Sequence, residues 1–308
     1  MSTTYPFKNL ALRGGGVKGI AYAGAIQVLA DQGILPNIER VAGTSAGSAN
    51  AMLLALKYTP AEILQILKDT DFSEFEDKKR NARIPISYGL YKGEALFEWT
   101  QNLVKKSPLG LSETATFADL KAAGGLDLYA FAVDLNTKTI AEFSNDKTPT
   151  VPIAEAIRAS MSIPLFFKAW KFSNDNPTDH IYVDGGVMYV YPLSVFDDTR
   201  FVPEEEDVNH ETLGLHLSNL DDEDKGDDLK YLMPLQYVKN LFESLIIGQD
   251  QVLKRNPEDL ERTVRINDFG IPGTEFTLPQ SDIDRLVQSG KDATTAYLGS
   301  YTLPEHLT

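Results

Sequence analysis

Two segments with the pattern strand, glycine-marked turn, helix follow one another at the start of the chain, and they limit its architecture more than any other feature. Residues 9–13, Asn-Leu-Ala-Leu-Arg, read as a short strand. They run straight into Gly14-Gly15-Gly16-Val17-Lys18-Gly19 and a helical pattern that reaches about Gln32, where Gly33 ends it. Residues 40–43 then read as a second strand, leaving through Gly43-Thr44-Ser45-Ala46-Gly47 into an Ala/Leu-rich helix over 46–56. Ala21, Ala23, Gly24 and Ala25 keep the first helix slim enough to lie close on a sheet. Two such units in succession predict an α/β fold of three layers, a mostly parallel central sheet flanked by helices on both faces, with functional groups at the carboxyl ends of the strands.

The rest of the chain extends this plan. Residues 70–91 are polar, charged and without period, which predicts a long excursion or cap beside the site. Helices are expected at 93–105 and 116–122, and a hairpin at 128–135 and 139–144 around Asn136-Thr137-Lys138. Pro152 stands near the start of a helix reaching about Ala159, where its missing N–H costs nothing. Residues 181–183 form a short strand ending in Asp184-Gly185-Gly186, and 213–217 another. The acidic run 221–228 reads as a solvated loop. In 232–254, Leu235, Val238, Leu241, Phe242, Leu245, Ile246 and Val252 recur near helical spacing and predict a core-packing helix, the polar face being of mixed sign instead of lysine-rich. A last helix covers 281–301. No internal repeat or low-complexity tract divides the chain. We expect a core over 9–192 and, over 193–308, a continuation of the same domain that carries the acidic loop and the terminal helices.

Charge and composition exclude several functions. The formal charge of −15 argues against nucleic acid as a partner, since such binders displace counterions with a basic face. The densest basic run, Lys78-Lys79-Arg80, reads as a solvated patch. The absence of cysteine removes disulfides, thiolate zinc sites and cysteine nucleophiles. No apolar stretch approaches the roughly 18 residues of a membrane span, and residues 1–9 lack the apolar middle of a signal peptide. A cytoplasmic protein is the default expectation, with export by a route without a cleaved signal left open.

Three motifs carry chemistry. Gly14-x-Gly16-x-x-Gly19 matches a dinucleotide fingerprint, and Glu39 lies where that reading wants a ribose-binding acid, but Glu39 precedes the second strand instead of ending it. Lys18 comes before Gly19, which removes a phosphate-binding P-loop. The same glycines can instead aim several N–H groups at one oxygen, as an oxyanion hole requires, or serve close helix packing alone. Lys18 either adds positive potential for an anionic head group or is solvated. Gly43-x-Ser45-x-Gly47 matches a nucleophile elbow, with the N-terminus of the following helix behind the hydroxyl. Its base is either one of His180, His210, His216 and His306 or Asp184, which ends a strand beside two glycines that permit close approach. A carboxylate can serve only where a dry site raises its proton affinity.

Taken together, these residues resemble the patatin-like phospholipases, lipid acyl hydrolases with a Ser-Asp dyad and no catalytic histidine. Four blocks match in order from about Asn9 to Pro192. The first is Gly14-Gly15-Gly16-Val17-Lys18-Gly19 and the second Gly43-Thr44-Ser45-Ala46-Gly47. The third is Ala159-Ser160-Met161-Ser162-Ile163-Pro164 and the fourth Asp184-Gly185-Gly186, with glycine where many members have alanine. The resemblance implies that Ser45 attacks a carboxyl ester while Asp184 accepts its proton, and that Gly14, Gly15 and Gly16 stabilise the oxyanion. An acyl-enzyme is implied, with no cofactor and no metal. Lys18, Gly19, Gly43, Gly47, Ser160, Pro164, Gly185 and Gly186 are the supporting motif residues. The expected substrate is a phospholipid, lysophospholipid or other fatty acyl ester met at a membrane or micelle surface, and residues 163–167 either border an acyl groove or belong to the core. Acyl transfer or general carboxylesterase activity would use the same site. Nucleotide binding through 14–19 and a non-catalytic lipid-binding role are the readings from other classes. The oligomeric state is not legible.

Overall fold

All four residues of β1 (Asn9–Leu12) are buried, because this strand has parallel neighbours on both edges and packing on both faces. A computed structural model describes residues 5–77, 89–203, 207–220 and 234–302. The basic run Lys78-Lys79-Arg80, the acidic run 221–228 and His306 lie outside the described residues. On one edge β1 pairs with β2 (Arg40–Thr44), which pairs in parallel with β4 (Asp127–Asp134). On the other it pairs with β8 (Thr212–Ser218), followed by β9 (Thr263–Asn267). β5 (Thr139–Phe143) and β7 (Tyr182–Asp184) both join β4 in antiparallel sense. The seven-stranded sheet is thus mostly parallel, in the order β5-β4-β2-β1-β8-β9.

Leu10, Leu12, Leu128, Leu213, Leu215 and Val264 point to one face and join the main apolar core. Helices α1 (Ala21–Asp31) and α2 (Ala46–Ala55) cover it, together with α6 (Ile153–Ser160) and α9 (Gln280–Ser300). α1 and α9 touch backbone to backbone: a Cβ on Gly24 would overlap the Val287 carbonyl, and one on Gly290 the Ala21 carbonyl. On the opposite face Ala11, Ala42, Tyr129 and Phe131 pack under a 3-10 turn at Leu193–Asp197. The long helix α7 (Pro234–Leu253) packs against the turn at Gly185–Val187 and against residues 165–167, and a short α8 (Pro257–Glu261) leads into β9.

Several elements depart from the sequence expectations. Helix α3 (Pro60–Asp69) was signalled by a reciprocal cap, with Thr59 accepting from the Glu62 N–H and Glu62 from the Thr59 N–H, and Pro60 at the first turn. The excursion at 70–91 contains a 3-10 turn at Phe72–Phe75 and a three-residue strand, β3 (Gly89–Tyr91), which pairs in parallel with β6 (Leu165–Phe167) in a separate small sheet. Helices α4 (Glu94–Lys105) and α5 (Phe117–Ala122) follow the expected positions. The expectation of a core-packing helix at 232–254 needs correction. Phe242 and Leu253 are buried, but Leu241, Leu245 and Val252 are 50%, 44% and 68% exposed. Among its described side chains α7 buries one narrow side.

Candidate active site

The meeting of Ser45 and Asp184 follows from the pairing of β4. That strand has two edges, and β5 occupies one of them along residues 130–134. β2 and β7 therefore share the other. β2 ends where Thr44 faces Phe131, and β7, running the opposite way, ends where Asp184 faces Ala132. Two carboxyl ends meet head on, and the Ser45 hydroxyl donates to Asp184 Oδ2 at 2.7 Å.

Ser45 has φ 52° and ψ −128°, a conformation that needs support from its surroundings. Its N–H donates to Ser160 Oγ at 2.9 Å, whose own hydroxyl donates to the Phe131 carbonyl at 2.6 Å. Its carbonyl accepts the Ser48 hydroxyl and N–H at 2.6 and 2.8 Å. The elbow glycines are required by close approach: a Cβ on Gly43 would overlap the Gly47 backbone, and one on Gly47 the Leu12 carbonyl. Helix α2 starts at Ala46, so its positive end lies behind the hydroxyl. Replacing Ser160 by Ala would leave the Ser45 N–H and Phe131 carbonyl buried and unpaired, an expected loss of about 1–3 kcal/mol. Thermal unfolding measures this cost, and turnover of a soluble ester should fall with it as the elbow relaxes.

Asp184 is fully buried, its N–H donates to the Ser162 carbonyl at 2.8 Å, and Oδ1 accepts the Gly186 N–H at 2.7 Å. Burial pushes its carboxyl up to about 7, and the bonds from Gly186 and Ser45 pull it only part of the way back. The group exchanges a proton near neutrality. Gly185 lies against the Phe131 carbonyl and Thr44 with no room for a Cβ. Ser160 and Ser162 thus hold the nucleophile elbow and the base turn from one segment, and Pro164 lies in the turn leading into β6.

The glycine turn borders the same space. A Cβ on Gly14 would crowd the Ser45 side chain, and the Gly14 N–H donates to the Val190 carbonyl at 2.8 Å and is thereby engaged. For the Gly15 and Gly16 N–H groups no acceptor occurs among the described residues. Gly16 has φ 59° and packs on Gly273 too closely for a side chain. Gly19 packs against Ala46 and Asn50. Lys18 is not a solvated surface residue: its ammonium pairs with Asp268 at 2.6 Å and is largely buried, at the wall of the larger cavity described below.

The alternatives fare differently. His180 Nδ1 bonds Asp134 at 2.7 Å and His216 Nε2 bonds Asp250 at 3.1 Å, while the Ser45 hydroxyl is bonded to Asp184. Burial pushes the His216 imidazole down to about 4 against the pull of Asp250. Glu39 precedes β2, at the opposite end of the sheet from the glycine turn, and is half exposed beside Arg40. A dinucleotide spanning Gly14–Gly19 could not reach it. Among the described residues no group of three His, Asp or Glu side chains is arranged to hold a metal ion.

Two cavities open at Ser45. One, of about 40 Å³, is apolar, with Val17, Ala49, Trp99, Ile163, Phe167 and Phe276 among its walls. Ile163 and Phe167 therefore do border a groove, while Phe166 packs between Tyr91 and Phe276. The other, of about 440 Å³, is mixed in polarity and runs from the glycine turn and Asp184 to His216, Phe242 and Asp250. Sequence reading missed the charged residues around the site. Arg13 and Arg158 adjoin motif blocks without belonging to them, each an arginine inside an otherwise apolar or small-residue run, and Asp250 lies far from any motif.

A profile of the patatin-like phospholipase family matches residues 10–197, which include all four blocks described above. This chain belongs to the patatin-like phospholipase family. It is 30% identical over 307 residues to the uncharacterized protein YqhO of Bacillus subtilis, spanning 94% of this chain and 97% of that one. A relative of shorter overlap, probable lipid hydrolase 463L of Invertebrate iridescent virus 6, is 27% identical over 61% of this chain and 63% of its own length. Among solved structures, VipD from Legionella pneumophila superposes with a TM-score of 0.66 at 16% identity, over 97% of this chain and 68% of that one. ExoU of Pseudomonas aeruginosa, in its complex with SpcU, reaches 0.58 at 20% identity, over 96% of this chain and 52% of that one. At these identities the likeness is one of fold. In this patatin-like chain the same sheet continues past the matched region through β8 and β9. No helix among the described residues is long and apolar enough to cross a membrane.

Proposed function

We propose that this patatin-like chain is a lipid ester hydrolase that cleaves the acyl esters of phospholipids or lysophospholipids through Ser45 and Asp184. The observation that carries the reading is the 2.7 Å bond from the Ser45 hydroxyl to a buried carboxyl whose proton affinity burial brings near neutrality. Asp184 takes the hydroxyl proton as Ser45 Oγ bonds to the ester carbonyl carbon, whose oxygen becomes an oxyanion. The Gly15 and Gly16 N–H groups are the donors for that oxyanion, and Gly14 holds the turn in place. Donors of this kind are each worth about 3 kcal/mol of barrier. When the acyl–oxygen bond breaks, Asp184 returns the proton to the departing alcohol. It then takes a proton from water, whose oxygen bonds to the acyl carbon, and gives that proton to Ser45 Oγ as the acyl–serine bond breaks and the acid leaves. The apolar cavity beside Ser45, at about 40 Å³, takes only the first methylenes of an acyl chain, and the larger mixed cavity, at about 440 Å³, has room for the rest of the ester. The naming of the viral relative as a probable lipid hydrolase agrees with this reading.

The test is labelling of the purified chain by a fluorophosphonate, read by mass at Ser45, with hydrolysis of p-nitrophenyl butyrate and of a phosphatidylcholine recorded on the same sample. Since only ionised Asp184 accepts the proton, kcat/KM should rise with pH through about 7 and level off above it. An acid limb near the ordinary carboxylate value of about 4 would sink the buried-base reading. Absence of both labelling and turnover would sink the hydrolase.

A further inference from the structure

Helix α7 reaches the site through two adjacent residues whose polar atoms are directed at the protein framework. Gln249 Oε1 accepts the Val190 N–H at 2.8 Å, and its Nε2 donates to the Gly186 carbonyl at 2.8 Å. Val190 and Gly186 are themselves tied to the proposed chemistry. The Val190 carbonyl takes the Gly14 N–H, and the Gly186 N–H donates to Asp184 Oδ1. One continuous path of hydrogen bonds therefore runs from the glycine turn through Gln249 to the base.

Asp250 closes a second path. Its carboxylate takes the Arg13 guanidinium in two bonds, 3.0 Å from Nε and 2.6 Å from Nη2, while Arg13 Nη1 donates to the Gly14 carbonyl at 2.7 Å. His216 Nε2 bonds the same carboxylate. Arg13 and His216 are 3% and 2% exposed, so these groups have left water and depend on one another. Burial pushes the Asp250 carboxyl up, but His216 and Arg13 outweigh it and hold it at about 2. The pair with Arg13 is therefore ionised across the working pH range.

We propose that Gln249 and Asp250 are positioning residues through which α7 fixes the separation between the glycine turn and Asp184. The proposal rests on the reading of Ser45 and Asp184 as nucleophile and base. Neither Gln249 nor Asp250 is needed to keep α7 on the molecule, because Phe242 and Leu253 anchor it. What they add is register between two turns that lie on different strands and must present their groups to one ester. Misplacement of such groups by a fraction of an ångström lowers turnover far more than it lowers stability.

The experiment uses the full chain with Gln249→Ala, Asp250→Asn and, as a control on the exposed side of the same helix, Val252→Ala. For p-nitrophenyl butyrate we expect kcat to fall about 10- to 100-fold in both site variants, KM to stay within about twofold, and fluorophosphonate labelling to slow in parallel. Burial and the two bonds from Gly186 and Ser45 are all that shift Asp184, and no charged side chain contributes. Loosening Gly186 in Gln249→Ala should therefore move the acid limb of kcat/KM upward, a change that a merely structural loss would not produce. Gln249 is partly exposed, so this variant decides the matter even if Asp250→Asn does not fold. The positioning role is overturned if wild type reacts while Gln249→Ala keeps the kcat and acid limb of Val252→Ala, or if KM alone changes. If wild type itself neither labels nor turns over, the hydrolase reading falls, and the positioning role with it.

Discussion

Asp184→Asn is expected to lower kcat/KM for carboxyl esters by about 10⁴-fold and, at pH 8, to make the protein more stable. The amide has nearly the shape of the carboxyl. Its oxygen can accept the Gly186 N–H and its NH₂ can meet Ser45 Oγ, but it cannot take a proton, so the serine remains an alcohol. Ser45→Ala should lose as much activity for the complementary reason and leave stability nearly level.

The stability gain in Asp184→Asn has a definite pH signature. The folded carboxyl titrates at about 7, against about 3.9 in an unfolded chain. A raised folded value means that the protonated form is the one the fold favours. Its contribution is complete below about pH 4, shrinks as pH rises, and is gone above about 7, where the fold bears the cost of a buried anion. Three units correspond to roughly 4 kcal/mol as a ceiling. Asn avoids that cost at every pH. Melting temperatures of wild type and variant should therefore lie close together at pH 4.5 and separate by several degrees at pH 8, with the variant higher. An equal difference at both values would show that the carboxyl is not the buried base proposed here.

Arg158→Met is expected to be the most damaging single change outside the reacting groups, costing about 3 kcal/mol or more. Arg158 is fully buried at the end of α6 and its guanidinium ties four elements together. Nε donates to the Gly93 carbonyl at 3.0 Å, Nη1 to Ser162 Oγ at 2.6 Å, and Nη2 to the Lys92 and Lys168 carbonyls at 3.0 and 3.1 Å. Its plane also lies over the rings of Phe167 and Trp170. Met fills much of the volume but supplies no donor, so the Lys92 and Lys168 carbonyls lose their guanidinium partner, the Gly93 carbonyl keeps only the Phe97 N–H and Ser162 Oγ only its own bond to the Arg158 carbonyl. Lysine is no substitute, because a single ammonium cannot serve acceptors spread around a planar fork. Urea unfolding gives the magnitude, and a midpoint shift equivalent to less than about 1 kcal/mol would refute the role. Fluorophosphonate labelling should slow as well, because Ser162, which Arg158 steadies, holds the Asp184 N–H.

Which parts of this arrangement the sequence revealed follows from the range of the forces involved. Residues 9–13 and 40–43 were legible as parallel strands because each is followed directly by glycines and a helix, a local pattern. The hairpin at 128–144 was legible for the same reason. Thr59-Pro60-x-Glu62 was a local signal too, and it was passed over at α3. β3, with three residues and its partner at 165–167, left no periodic trace, since its pairing depends on chain brought from far away. In the site, Ser45 and the base turn at Asp184 stood out through the glycines that close approach demands. Nothing local said that β7 would run against β4 and stop where β2 stops, which is what brings the two residues together. Gly14 was placed correctly in the turn, yet only the Val190 carbonyl, far along the chain, shows its N–H to be engaged. The buried charges of Arg13, Arg158 and Asp250 were invisible for a like reason, because a partner's identity is a tertiary fact.

The position of β1 in the middle of the sheet has a consequence for biosynthesis. The strand that carries the glycine turn is followed closely by β2, its partner on one edge, but its other edge stays open until residues 212–218 have been made. Helix α1 waits longer still for α9, whose Gly290 lets the two backbones touch. Chains are made from the N-terminus, and an unpaired central strand is a place for wrong partners. The nucleophile, glycine turn and base blocks are thus all synthesised well before the strand and helices that hold them in register. Covering the open edge of β1 is therefore a late step, and it follows the synthesis of every reacting group proposed here.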